Sequence, residues 1–134
     1  LPENWEVASE DENEIVLIRS QEDLEIETKV VFLTTETEIQ SFENYTKQIV
    51  DGAKKTITSL NYQTETEIEK VDDWQKKELK GFYYSGGDKI NLIQKIYHQN
   101  DQLVTITASY GNTDVEKIES ELEKVFTFLR DAYL

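Results

Sequence analysis

The sequence predicts an α+β fold: an antiparallel sheet of about six strands with two long helices. Apolar and polar residues alternate along several short runs, as in strands, whereas two longer stretches repeat apolar residues close to every 3.6 positions, as in helices. Turn-forming Gly, Asn and Asp residues separate neighbouring runs. These patterns are compatible with an α/β/α sandwich and with a two-layer arrangement.

The last third of the chain, residues 89–134, carries the clearest signal. Two alternating runs centred on Ile93 and Ile106 flank the polar residues 99–102, which predicts a β-hairpin. The period then changes, and one apolar stripe at helical spacing predicts a closing helix. Its members are Val115, Ile118, Leu122, Val125, Phe126 and Leu129. Thr113 and Glu116 have the spacing of a capping box at its start.

The first half of the chain predicts two strands and the first helix. Residues 14–20 are apolar and β-branched, and residues 25–34 alternate, so the two runs predict two strands joined by a polar connection. Apolar residues from Ile39 to Leu60 recur at helical spacing, which places a helix at about 38–60. Either Thr37 or Ser41 could cap this helix, and Gly52 predicts a bend or close packing within it.

Two further strands connect the halves. Residues 62–71 alternate strictly and predict a half-exposed strand, and residues 75–85 predict another after a turn at Asp72-Asp73. Gly81 within the second of these marks a bulge or a site of close approach. The run 85–88 (SGGD) then turns the chain into the closing hairpin. Without a linker or repeat, residues 1–134 are expected to form one domain.

Composition restricts the partners. The net charge of −14 disfavours nucleic acid and anionic membrane surfaces, because both are bound through Lys and Arg. No apolar run is long enough for direct membrane insertion. The absence of Cys excludes disulfides and thiolate sites, and leaves the redox compartment open. Because the chain starts at Leu1 without Met, we expect a trimmed or processed domain, and a removed export signal or lipid anchor is compatible with that start.

No motif for chemistry stands out, and we expect no catalytic residue, no metal site and no cofactor. His98 is the sole histidine, so a zinc site or a Ser-His-Asp relay has no support, and an exposed or edge position is expected for it. The acidic runs 10–14 and 72–73 lack the spacing and turn glycine of a calcium loop, which favours solvated loops.

Aromatic residues give the best candidates for a binding site. Adjacent aromatics at 82–84 must point to opposite faces of a strand, so at least one of them faces away from the main core. Packing in a second core explains this, and so does an aromatic surface that binds a peptide or ligand. The binding candidates are Trp74, Tyr83, Tyr84, Tyr97 and Tyr110.

Several motifs together resemble the PsbP-like superfamily, in particular its bacterial DcrB-type branch. They are the opening Leu1-Pro2-x-x-Trp5, Phe42-x-x-Tyr45, the run 81–84 (GFYY), the hairpin segments 94–97 (QKIY) and 104–109 (VTITAS), and Val125-Phe126-x-Phe128. The resemblance covers nearly the whole chain. It implies a PsbP-like sandwich and a role in binding, since photosystem accessory proteins, an import factor, exported lipoproteins and chaperones share this fold without a common catalytic motif. No functional residue carries over.

We therefore expect a non-enzymatic binding or accessory domain of an exported bacterial protein, at the cell envelope or outside the cell, processed or lipid-anchored. A protein or peptide would be its partner, contacted by a sheet face and an acidic rim. One alternative is a cytoplasmic chaperone that shields hydrophobic segments of a secreted protein in a long apolar concavity. A weaker one is a hydrolytic enzyme with a carboxylate site in a deep pocket. The sequence does not indicate an oligomeric state.

Overall fold

A computed structural model describes residues 1–20 and 26–134. Within them, the strands are β1 (Trp5–Glu10), β2 (Glu14–Arg19), β3 (Lys29–Glu36), β4 (Asn61–Glu65), β5 (Glu69–Val71), β6 (Trp74–Ser85), β7 (Asp88–Gln99) and β8 (Gln102–Tyr110). These eight strands form one antiparallel sheet in the order β1-β2-β3-β8-β7-β6-β4, and β5 also pairs with β6. The helices are α1 (Phe42–Thr56) and α2 (Val115–Tyr133). The predicted α+β class is confirmed.

Tight turns join the three central strands. Gly86 and Gly87 have φ angles of 58° and 87° between β6 and β7, a region that glycine enters without steric cost. Asn100, with φ of 55°, begins the turn between β7 and β8. Both turns lie where the sequence predicts them, so the closing hairpin is confirmed.

The two helices lie on opposite faces of the sheet, because neighbouring strand residues enter different cores. On β7, Tyr97 belongs to the core of α2, whereas Ile96 belongs to that of α1. The larger core joins the predicted apolar stripe of α2 to buried residues of β1, β2, β3, β7 and β8. The smaller core joins Phe42 and Val50 of α1 to Leu79, Ile96 and Leu103. The α/β/α alternative is therefore the correct one.

The sheet has eight strands and not about six, for two reasons. Strand β1 has Trp5 as its single buried residue, so it shows no apolar alternation. The predicted strand 62–71 is two strands, β4 and β5, which pair with different parts of β6. Strand β3 begins at Lys29, later than the predicted Glu25, and Glu25 itself lies outside the described residues.

The helix boundaries depend on their caps. Helix α1 is shorter than the predicted 38–60: Ser41 Oγ accepts a hydrogen bond from the Asn44 backbone N–H at 3.2 Å, and the chain is extended again at Ile57. Of the two predicted caps, Ser41 is the correct one. The predicted capping box on Thr113 is wrong, because Asp114 is the N-cap of α2, with φ of 53° and no side-chain cap. Neither described helix is long and apolar enough to cross a bilayer.

Gly81 is a site of close approach, as predicted. A Cβ atom built on Gly81 would lie 2.3 Å from the Asn61 carbonyl oxygen and 2.9 Å from Tyr62 Cα. Glycine therefore lets β4 pair closely with β6, and the Tyr62 hydroxyl donates a hydrogen bond of 2.8 Å to Gln94 Oε1 of β7. Burial raises the pKa of Tyr62, so its hydroxyl keeps its proton.

Candidate functional site: the Trp74 pocket and a charged cleft

The structure brings two of the five predicted binding residues together. Trp74 and Tyr97 lie on the α2 face of the sheet with ring centroids 6.4 Å apart and rings nearly perpendicular. This edge-to-face geometry is favourable for aromatic pairs. Tyr97 is buried, whereas the Trp74 indole is half-buried. Trp74 is therefore partly exposed to solvent, and the buried Tyr97 holds it in place.

A cavity of about 280 Å³ opens beside this pair, where the β5–β6 turn meets the end of α2. We call it the Trp74 pocket. Its walls are Trp74, Tyr97, Val71 and Leu134, and its charged rim is Asp72, Arg130 and Asp131. The Arg130 Nε atom lies 3.3 Å from Asp131 Oδ1, and both side chains are exposed. The pocket thus combines aromatic walls with charges of both signs.

Tyr97 stays a neutral phenol beside the pocket. Burial is the main reason that its pKa is raised, and the nearby Glu78 carboxylate adds to that shift, although Lys76 and Arg130 act against it. The Lys76 Nζ atom lies 5.7 Å from the centroid of the Tyr97 ring. One cation therefore already contacts an aromatic wall of the pocket.

The other three predicted binding residues lie elsewhere. Tyr84 is 53% exposed and packs edge-on against Phe82, with centroids 5.8 Å apart. Tyr83 is half-buried and, by strand alternation, points to the α1 face. Tyr110 is fully buried, and its hydroxyl donates a hydrogen bond of 2.9 Å to Glu119 Oε2. The five candidates therefore do not form a single surface.

A second cavity, of about 420 Å³, lies between α2 and strands β4, β6 and β7. We call it the charged cleft. It is lined by Thr64, Thr66, Glu78, Leu79, Lys80, Ile93, Lys95, Glu119, Ser120 and Glu123. Sequence reasoning missed it. The available signal was a Lys inside the apolar run of β7, opposite the alternating charges of β6.

Ion pairs neutralise most of the charges in this cleft. Glu78 Oε1 lies 2.9 Å from Lys76 Nζ and 3.1 Å from Lys95 Nζ, and Lys80 pairs with Glu119. Lys95 is buried and lies over the Phe126 ring, with Nζ 4.4 Å from its centroid. Without the Glu78 carboxylate, the buried Lys95 would be an uncompensated charge.

The two lysines keep Glu78 ionised. Burial alone would raise the pKa of this carboxyl, but hydrogen bonds and charges from Lys76 and Lys95 outweigh burial and lower it. The pKa of Lys76 is raised in turn: burial acts to lower it, and the bond to Glu78 reverses that effect. Glu78 and its two lysines are therefore fixed against one another, the opposite of a free acid or base.

His98 is buried, which contradicts the expected exposed or edge position. It is 8% exposed, and its ring stacks on Phe42 with centroids 6.0 Å apart. Burial follows because Phe42, at the start of α1, covers the end of β7. The His98 Nε2 atom has no hydrogen-bond partner among the described residues. Across residues 1–20 and 26–134, no cluster of three or more His, Cys, Asp or Glu could hold a metal ion.

Comparisons with known proteins show similarity in fold alone. No family model and no curated protein matches the sequence. PA94 of Pseudomonas aeruginosa, a protein of unknown function suggested to be a regulator, superposes with a TM-score of 0.73 and 12% identity, over 89% of this chain and 83% of PA94. LpqN of Mycobacterium tuberculosis, described as involved in cell envelope biogenesis, superposes with a TM-score of 0.67 and 12% identity, over 92% of this chain and 75% of LpqN.

Proposed function

We propose that this chain is a non-enzymatic binding domain of an exported, cell-envelope-associated protein, and that it contacts a protein or peptide partner at the Trp74 pocket. One observation carries the proposal: a half-buried indole, supported edge-to-face by the buried Tyr97, lines a small cavity with a charged rim. Aromatic anchors inside a polar rim contribute most of the binding energy in many protein interfaces.

Similarity of fold supports the cell-envelope part of the proposal. LpqN shares the fold over most of its length and is described as involved in cell envelope biogenesis. The resemblance of the sequence to PsbP-like proteins of the DcrB type points the same way. A processed or lipid-anchored protein of the envelope would present this domain to partners outside the cytoplasm.

The paired groups of the charged cleft count against the hydrolytic alternative. Its buried Lys95 is paired with Glu78, and Glu119 accepts from both Tyr110 and Lys80. Groups committed in this way are poor proton donors or acceptors for a substrate.

A chaperone requires a long apolar concavity. Within the described part of the chain, the exposed large apolar residues are scattered: Leu1, Val7, Leu33, Val71, Tyr84 and Tyr133. We therefore favour a binding domain that contacts its partner at one pocket.

Photo-crosslinking in the native cell tests the pocket. Val71 lines the pocket and Leu33 lies on the opposite face of the sheet, yet both aliphatic side chains are 37% exposed. A photo-reactive amino acid at position 71 should yield a discrete crosslinked band that Trp74→Ala removes, whereas position 33 should not. Equal yields at both positions would refute a specific contact at the pocket.

Cell fractionation tests the location separately. The full-length protein should be found in the envelope or secreted fraction. Its recovery with cytoplasmic markers would overturn the envelope assignment and revive the intracellular alternative, whatever the result of crosslinking.

A further inference from the structure

We propose that the Trp74 pocket accepts a Lys or Arg side chain of the partner. This inference rests on the proposed function and specifies the chemistry of the bound group. Three features of the pocket support it: a half-buried indole with no cation over it among the described residues, two rim carboxylates, and a volume suited to one cationic group.

Aromatic rings of the sheet and of α2 already attract cations. Lys76, Lys89 and Lys95 each place Nζ within 5.7 Å of the centroid of a Tyr or Phe ring. Among the described residues, no cation lies over the Trp74 ring, although indole is the best of the aromatic side chains at attracting one. The half-buried Trp74 therefore has the strongest cation-binding ring of the group, and it lines the pocket without a cation of its own.

The rim supplies negative charge. Asp72 forms no ion pair within residues 1–20 and 26–134, and Asp131 is paired only with Arg130, its neighbour in sequence, at 3.3 Å. Such a pair between exposed side chains is worth little. The net charge of −14 adds a long-range field that attracts basic partners.

The size of the cavity fits a single side chain. A volume of about 280 Å³ is at the lower limit of pockets that hold a drug-sized ligand, whereas a guanidinium or ammonium group with part of its stem needs less. Arg130 lines the same cavity. In the free protein its Nε atom lies 3.3 Å from Asp131 Oδ1, so its guanidinium competes with an incoming cation for that carboxylate.

Because Arg130 competes with an incoming cation, removing its charge and removing a rim carboxylate should change the affinity for a cationic peptide in opposite directions. Three short peptides serve as probes, identical except for a central Arg, its neutral analogue citrulline, or Glu. Binding to the intact chain is followed by the NMR signal of the Trp74 indole N–H, which is distinguished from that of Trp5 by the Trp74→Phe variant. The Arg peptide should shift the Trp74 signal, whereas the citrulline peptide should bind about three- to tenfold more weakly.

Variants separate the contributions. Asp72→Asn and Asp131→Asn should each weaken binding of the Arg peptide about two- to threefold, and Arg130→Gln should tighten it by a similar factor. Asp72 has φ of 54°, a conformation that Asn also tolerates, so the change leaves the turn intact. The matched control is Asp73→Asn, which removes one charge from the same turn at a residue that does not line the pocket. It should leave the affinity unchanged.

Two outcomes would overturn the inference and leave the proposed function standing. Preferential binding of the Glu peptide, weakened by Arg130→Gln, would mean that the pocket binds a carboxylate. Equal binding of the Arg and citrulline peptides would mean that shape decides and charge does not. If none of the peptides shifts the Trp74 signal, the inference fails, and the crosslink at Val71 then decides independently whether the pocket contacts a partner.

Discussion

Glu78 and Lys95 face each other directly across strands β6 and β7, and Lys95 Nζ lies 3.1 Å from Glu78 Oε1. The Lys95 side chain is only 11% exposed, so Glu78 is the counter-ion of a charge that has lost most of its water. Lys76 binds the same carboxylate oxygen at 2.9 Å. One carboxylate therefore holds two lysines, of which Lys95 lines the charged cleft.

Glu78→Gln should destabilise the protein by about 1–3 kcal/mol at neutral pH, because it leaves the buried Lys95 without its counter-ion. The folded-state pKa of Glu78 is lowered, so the unfolded chain binds more protons as the pH falls. The stabilisation is complete above the unfolded pKa of about 4.3 and is lost as the pH falls through the lower folded pKa. Urea unfolding of the wild type and Glu78→Gln across this pH range measures the loss of stability.

The difference between wild type and Glu78→Gln should therefore shrink towards zero in acid. Glu123→Gln is the matched control, since Glu123 lines the same cleft and forms no ion pair within the described chain. It should change stability by less than about 0.5 kcal/mol. A constant difference between wild type and Glu78→Gln at all pH values would contradict the ion-pair explanation.

Two glycines should respond oppositely to alanine. Gly81→Ala should cost about 1–3 kcal/mol, because the new Cβ would lie 2.3 Å from the Asn61 carbonyl oxygen, and β4 would have to move. Gly52→Ala in the middle of α1 should gain about 0.5–1 kcal/mol, since beyond its chain neighbours and the adjacent helix backbone no atom lies within 4 Å of the new Cβ, and alanine favours helix. The denaturant midpoints of the two variants and the wild type measure both changes in stability. Equal effects of the two changes would show that β4 does not pack closely on Gly81.

The sequence predicts those parts of the fold that depend on neighbouring residues. The turns at Gly86-Gly87 and Asn100 and the stripe of α2 were predictable because their cause is local backbone preference or one repeating pattern. Strand β1 was not predictable, because it lies at the sheet edge and has one buried side chain, Trp5. Its polar sequence resembles that of a loop.

The candidate sites depend on contacts between distant segments. Trp74 was predicted as a binding residue, but its pocket also needs Arg130 and Asp131 from the end of α2. In the charged cleft, Lys80 of β6 meets Glu119 of α2. No local pattern fixes where a helix crosses a sheet. The sequence could therefore indicate individual candidate residues, but not which of them lie together in one site.

The two helix starts make a contrasting pair. Ser41→Ala should cost about 1 kcal/mol, because Ser41 Oγ accepts the Asn44 backbone N–H at the start of α1. Asp114→Gly should be neutral or stabilising, because Asp114 makes no side-chain cap and its φ of 53° suits glycine. Thermal unfolding monitored by circular dichroism compares them. A loss of stability in Asp114→Gly as large as that in Ser41→Ala would show that Asp114 caps α2 in solution.

His98→Phe should stabilise the protein by about 1 kcal/mol. The His98 ring is 8% exposed and stacks on Phe42, yet its Nε2 atom has no partner among the described residues, so burial costs more than it would for an apolar ring. His98→Ala is the control for size: it removes the ring and should destabilise by about 2–4 kcal/mol through the cavity it leaves. If His98→Phe instead destabilises the protein by more than about 1 kcal/mol in urea unfolding, Nε2 is hydrogen-bonded in solution. In that case the hydrogen bond of His98 contributes to stability in addition to the packing of its ring beneath α1.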